Sequence, residues 1–144
     1  MKGSYFHKVQ YYETDAMGIV HHSNYIRWLE EARLDCLKEN GFAYDALEER
    51  GILIPVLSVS CEYKVSVRYG QTVRIDYVID FLKGIKFGVT YKIYSGDGSV
   101  LHATGSSTHC FLDRDLKPFN AKKKAPDVYE FFAKNVEKTK EGAN

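Results

Sequence analysis

Asp15, Gly18, His21 and His22 fall in the stretch Thr14-Asp15-Ala16-Met17-Gly18-Ile19-Val20-His21-His22-Ser23-Asn24-Tyr25, directly ahead of the longest helical pattern in the chain. A helix start carries unsatisfied N–H groups and partial positive charge. A carboxylate held there can attack a carbonyl, or deprotonate the water that does, while the N–H groups polarise the carbonyl oxygen. The chemistry this supports is attack on an activated acyl group. Gly18 lets the backbone bend closely between the acid and the helix. Asp15 suits a plain turn equally well, bonding a neighbouring N–H. The histidines suit helix entry, or a base near neutral pH. His-His-Ser-Asn does not supply a zinc spacing, so no metal and no cofactor is expected.

Other candidates fit worse. Ser58, Ser60, Ser66, Ser106 and Ser107 lie in no Gly-x-Ser-x-Gly elbow. Cys61 and Cys110 sit in strand patterns and read as core. Glu30 and Glu31 lie on the helix at pairing distance from Arg33 and Arg27, which makes salt bridges the first reading and a nucleophile the second. Arg33 points into the apolar sector, either to meet a carboxylate or to snorkel. Lys122-Lys123-Lys124 reads as a solvated run that could meet phosphates.

The chain has 144 residues, 44% hydrophobic and 27% charged, with a formal net charge of +1. These values fit one ordinary globular domain over residues 1–144 and argue against a nucleic-acid or membrane-coating role. No secretory leader pattern and no membrane-spanning run is present in the sequence. Cys36, Cys61 and Cys110 are widely spaced and odd in number, which reads as thiols in a reducing cytoplasm.

The elements that must position Asp15 follow from periodicity. Residues 5–12 read as a strand entering the motif. Residues 24–39 read as a helix about 24 Å long at ~1.5 Å per residue. On it Tyr25, Trp28, Leu29, Ala32 and Cys36 share one narrow sector, widened by Ile26 and Leu37. A helix so apolar on one side needs a broad cover, such as a sheet. Asn40-Gly41 stops it, and a short helix near 42–50 follows. From 52 to 112 the period changes to two, as in Val73, Ile75, Tyr77, Ile79 and Phe81. Turns at 68–71, 82–85 and 95–98 divide this region into four consecutive antiparallel strands, each about ten residues or more. Pro126 opens a last helix over about 126–138, with a frayed tail from Lys138.

The stretch Thr14–Tyr25, with Glu31-Ala32-Arg33 after it, resembles the 4-hydroxybenzoyl-CoA thioesterase branch of the hotdog-fold superfamily, and within it the Tol–Pal-associated acyl-CoA thioesterase group. The resemblance covers about residues 4–120. It implies an α+β hotdog fold: a long central helix wrapped by a curved antiparallel sheet of about five strands, with an extra C-terminal helix in this chain. It implies that Asp15 is nucleophile or general base, that His22 is the family histidine, and that the backbone N–H there polarises the thioester carbonyl. The substrate implied is an acyl-CoA or an acyl-carrier-protein thioester. Gly18 and Tyr25 are then expected to line its site, and Lys64, Arg68 and Lys83 to meet CoA phosphates. The implied assembly is a homodimer or homotetramer with sites across the subunit interface.

Overall fold

The computed structural model describes residues 2–137. Strand β1 (Lys2–Lys8) leads through a 3₁₀ turn at Tyr11–Glu13 and a bent loop into helix α1 (Ser23–Glu39). Helix α2 (Tyr44–Glu49) follows, then β2 (Val56–Tyr63), β3 (Thr72–Lys83), β4 (Lys86–Ser95) and β5 (Leu101–Cys110). Short α3 (Ala121–Lys124) and α4 (Pro126–Asn135) close the described chain. The strands form one antiparallel sheet in the order β1-β3-β4-β5-β2. This is the α+β architecture expected: one long helix on one face of a five-stranded sheet, with a further C-terminal helix.

Helix α1 forms where the apolar sector predicted it. Tyr25, Trp28, Leu29, Ala32, Cys36 and Leu37 are all buried, in one core cluster with Val73, Ile75, Val89 and Ile93 of the sheet. Each fully buried apolar side chain of this size contributes about 2 kcal/mol. The helix can sit this close because β5 carries Gly105 beneath it. A Cβ there would stand 2.9 Å from the Ser60 carbonyl oxygen and 3.2 Å from Leu29 Cδ1. At the other end Gly41, at φ +85°, takes the left-handed position that ends the helix.

Four expectations need correction. The first strand ends at Lys8 rather than residue 12, because the Glu13 carboxylate reaches back to the Gln10 N–H at 2.8 Å and turns the chain. The turn at 68–71 is not a hairpin. β2 lies at the sheet edge beside β5, so the chain crosses past the loop ahead of α1 before β3 begins, and only β3, β4 and β5 form a meander. β2 has 8 residues, fewer than expected. The last helix ends at Asn135, because Val136 bridges to Ile79 and the Glu137 N–H donates to the Ile79 carbonyl at 2.7 Å. The rest of that expected helix, Lys138, and the tail to Asn144 lie outside the described residues.

Candidate active site

The loop between the 3₁₀ turn and α1 is a small closed structure. Thr14 bridges Val20, the Asp15 N–H donates to the Ile19 carbonyl at 2.9 Å, and the Gly18 N–H donates to the Asp15 carbonyl at 3.0 Å. Gly18 sits at φ +78°, a conformation that L side chains rarely adopt. The crossing segment fastens the loop from outside: Val20 N–H donates to the buried Val67 carbonyl at 2.8 Å, and Ile19 bridges Arg68. The turn at 68–71 therefore belongs to the support of the site.

Asp15 is half-buried, and its Oδ1 accepts the Met17 N–H at 2.8 Å. That is the plain turn role, and it occupies one oxygen. Oδ2 has no hydrogen-bond partner among the described residues. One oxygen thus fixes the carboxylate while the other stays open to a ligand.

The two histidines divide their work. His21 Nδ1 accepts the Ser23 N–H at 3.2 Å and bonds Ser23 Oγ at 2.9 Å, closing the helix entrance. The His22 ring is exposed, stacked on His21 with centroids 4.2 Å apart. Its carbonyl accepts the Tyr63 hydroxyl at 3.2 Å. Its N–H, at the mouth of α1, has no acceptor among the described residues. No hydrogen bond joins His22 to Asp15 within this chain.

Tyr25 is buried below, between Tyr63 at 4.8 Å and Trp28 at 4.9 Å, centroid to centroid. Arg68 reaches over Gly18, with Nη1 at 3.9 Å from where a Cβ would be. Lys64 is exposed just past the end of β2, beside Tyr63. Lys83 is different. It ends β3, roughly 36 Å along the strand from Thr72 at ~3.3 Å per residue, so the fold sends it away from Arg68 and Asp15.

Two residues that sequence reasoning passed over support the loop. Glu13, 4% exposed, receives the Trp28 indole N–H at 2.7 Å and His7 Nε2 at 2.8 Å besides the Gln10 N–H. Burial alone would raise its carboxyl, but these hydrogen bonds outweigh it and hold Glu13 below the usual carboxylate range. Its carbonyl accepts the His21 N–H at 2.8 Å and the Asn24 side chain at 2.9 Å. Glu13 therefore binds both ends of the loop to the helix. The other nitrogen of His7 meets Glu31 at 3.2 Å, and Tyr5 donates to the same Glu31 oxygen at 2.9 Å. Glu31 turns to β1 instead of pairing with Arg27. The spacing Gln10-x-x-Glu13 was the available signal.

Arg33 does not pair with Glu30 either. Its guanidinium donates to the Tyr91 hydroxyl at 3.1 Å, at the head of a buried chain through Ser107 to His109. Burial, then the Arg33 charge, pushes His109 down to about 4. Cys36 and Cys110 are buried, Cys61 is half-buried, and none of the three is in a disulfide. Among the described residues no cluster of His, Cys, Asp or Glu could hold a metal ion, and no helix is long and apolar enough to cross a membrane.

Known proteins resemble this chain in sequence and fold. The family model of the thioesterase-like superfamily matches residues 9–136. The candidate acyl-CoA thioesterase YneP of Bacillus subtilis (strain 168) is 36% identical over 128 residues, covering 88% of this chain and 92% of that one. The DHNA-CoA thioesterase of Staphylococcus aureus superposes with a TM-score of 0.87 at 31% identity, covering 92% of this chain and 89% of that one. BH1999, a gentisyl-coenzyme A thioesterase, superposes with a TM-score of 0.77 at 27% identity, covering 86% of this chain and 99% of that one. With its long helix against a five-stranded sheet, the chain belongs to the thioesterase-like superfamily, the hotdog-fold thioester hydrolases.

Proposed function

We propose that the protein hydrolyses acyl-CoA thioesters to a free acid and CoA, with Asp15 as the reacting carboxylate. The observation that carries this reading is the open Oδ2 of an otherwise fixed Asp15, on the same loop as the unpaired His22 N–H at the start of α1. The thioester carbonyl lies against that N–H, which stabilises the oxyanion as it forms; loss of one such donor costs on the order of 3 kcal/mol. Asp15 either attacks the carbonyl, giving a mixed anhydride that water then opens, or takes the proton from an attacking water. In both routes water supplies one oxygen to the acid and the leaving thiolate takes up a proton. The exposed His22 ring borders the site and is suited to orienting substrate. The names of YneP and the two CoA thioesterases support a CoA ester, and an acyl-carrier-protein thioester would meet the same groups. Arg68 and Lys64 stand where CoA phosphates could be met from the same chain. Lys83 could do so only across copies.

The site is completed by a second copy. β2 is a sheet edge, and Val56, Leu57, Val59 and Tyr63 along it are 39–48% exposed. An open, apolar edge strand is a ready template for pairing. A homodimer, or a tetramer of such dimers, through this edge places another chain beside Tyr63 and His22. Three cysteines outside any disulfide suit a reducing cytoplasm.

Thiol release from a set of acyl-CoA esters tests the activity. Turnover at neutral pH is expected. Saturable binding of the esters without thiol release would instead assign a non-catalytic acyl-CoA-binding protein.

A further inference from the structure

A cavity of about 210 Å³ lies beneath the C-terminal half of α1, walled by Arg33, Leu34, Val56, Val89, His109 and Phe132 among others. A cavity of about 150 Å³ is enough to hold a benzene molecule. This one has room for a single ring or a short branched chain and is too small for a long straight one.

One wall of it is polar and directional. Ser107 Oγ and His109 Nε2 share a hydrogen bond at 2.7 Å. Ser107 Oγ also bonds the Tyr91 hydroxyl at 2.7 Å, and the Tyr91 oxygen accepts from Arg33 at 3.1 Å. Arg33 stands at the donor end of this chain. Its other N–H groups have no hydrogen-bond partner among the described residues, and Glu30 in the same wall makes no ion pair with it. A half-buried guanidinium beside apolar walls calls for an acceptor oxygen from a ligand.

We propose that this cavity is the acyl pocket, and that Arg33 selects acyl groups of about one ring or less that carry an accepting or anionic oxygen at their far end. The inference rests on the thioesterase reading and on pairing through β2. Within one copy the cavity lies roughly 16 Å along α1 from His22, at ~1.5 Å per residue. Across copies the gap closes. Val56, in the cavity wall, begins β2, and Tyr63, which touches His22, ends it. Two β2 edges pairing antiparallel set the Val56 end of one copy against the Tyr63 end of the other. Each cavity then opens beside the Asp15 loop of the neighbouring copy, and Arg33 acts in trans.

Matched thiol-release assays decide it. Glutaryl-CoA is compared with butanoyl-CoA, and hydroxyphenylacetyl-CoA with phenylacetyl-CoA, with palmitoyl-CoA as the size control. The wild type is expected to favour the oxygen-bearing member of at least one pair by about tenfold or more in kcat/KM, as a site that hydrogen-bonds its substrate does. Arg33→Met is expected to bring that ratio close to one, and Arg33→Lys to keep part of it, both with wild-type circular dichroism. Leu34→Trp, filling the cavity from its exposed rim, is expected to lower turnover of the ring-bearing esters relative to acetyl-CoA. Equal turnover of both members by the wild type, a preference for palmitoyl-CoA, or an unchanged ratio in Arg33→Met overturns the selection. Absence of thiol release from every ester would overturn the thioesterase reading itself.

Discussion

Glu13 and Asp15 are two carboxylates separated by one residue, and the fold treats them in opposite ways. Glu13 is buried, held by Trp28, His7 and the Gln10 N–H, with no oxygen left over. Asp15 is half-buried and keeps one oxygen open. The difference follows from chain direction. At Glu13 the chain still turns inward against α1, and its side chain meets the indole. At Asp15 the loop has bent outward toward Gly18. A carboxylate whose oxygens are all committed stabilises the fold, and one with a free oxygen can react. The loop needs both, because Asp15 is positioned only if Glu13 anchors the loop to the helix.

The contrast can be broken in several places. Asp15→Asn is expected to lower kcat by roughly 10²–10⁴-fold, the span of a positioned acid–base group, with little change in melting temperature. Glu13→Ala should behave the other way. It leaves the Trp28 N–H and His7 without their acceptor, costing about 3 kcal/mol and on the order of 10 °C in Tm, with activity falling only as far as the loop loosens. Calorimetry beside a thiol-release assay separates the two.

Acid stability gives a comparable effect from the other end of α1. His109 is held neutral, at about 4 against an ordinary 6.5. The unfolded chain therefore binds the extra proton first, and stability falls as pH drops from about 6.5 toward 4, by about 3 kcal/mol at most. His109→Gln should flatten that part of a urea-midpoint profile against pH. Glu13 acts lower still. Its contribution is present above the unfolded carboxylate pKa and is lost only as pH falls through its own lowered value. The smallest effect on folding is expected from Val59→Glu on the open β2 edge. Sedimentation should show dissociation, and activity should fall while the monomer still melts cooperatively. An unaltered assembly would remove the second copy from the site.

The sequence made the helix and the loop legible, and much of the sheet. The apolar sector from Tyr25 to Cys36 spaces itself only one way on a helix, and Val73 to Phe81 alternates cleanly. The crossing at 68–71 was not legible, because Tyr69-Gly70 turns the chain equally well for a hairpin or a crossover. What decides is which strand β2 pairs with, and that is β5, with partners as far apart in the chain as Val56 and His109. Asp15 and the histidine pair stood out by their place ahead of the helix, and the family resemblance singled out His22. Glu13 did not, since its partners come from β1 and from the middle of α1. Arg33 was expected either to meet a carboxylate or to snorkel; its partner is a tyrosine hydroxyl on β4, a pairing with no local signature.

The central claim is that Asp15, and not its buried neighbour, carries the reaction. Its most direct test is thiol release from an acyl-CoA ester turned over by the wild type, measured for Asp15→Asn at a temperature where circular dichroism shows it fully folded. The account predicts loss of nearly all turnover with the fold intact. Turnover within a few-fold of wild type in that folded variant would contradict it.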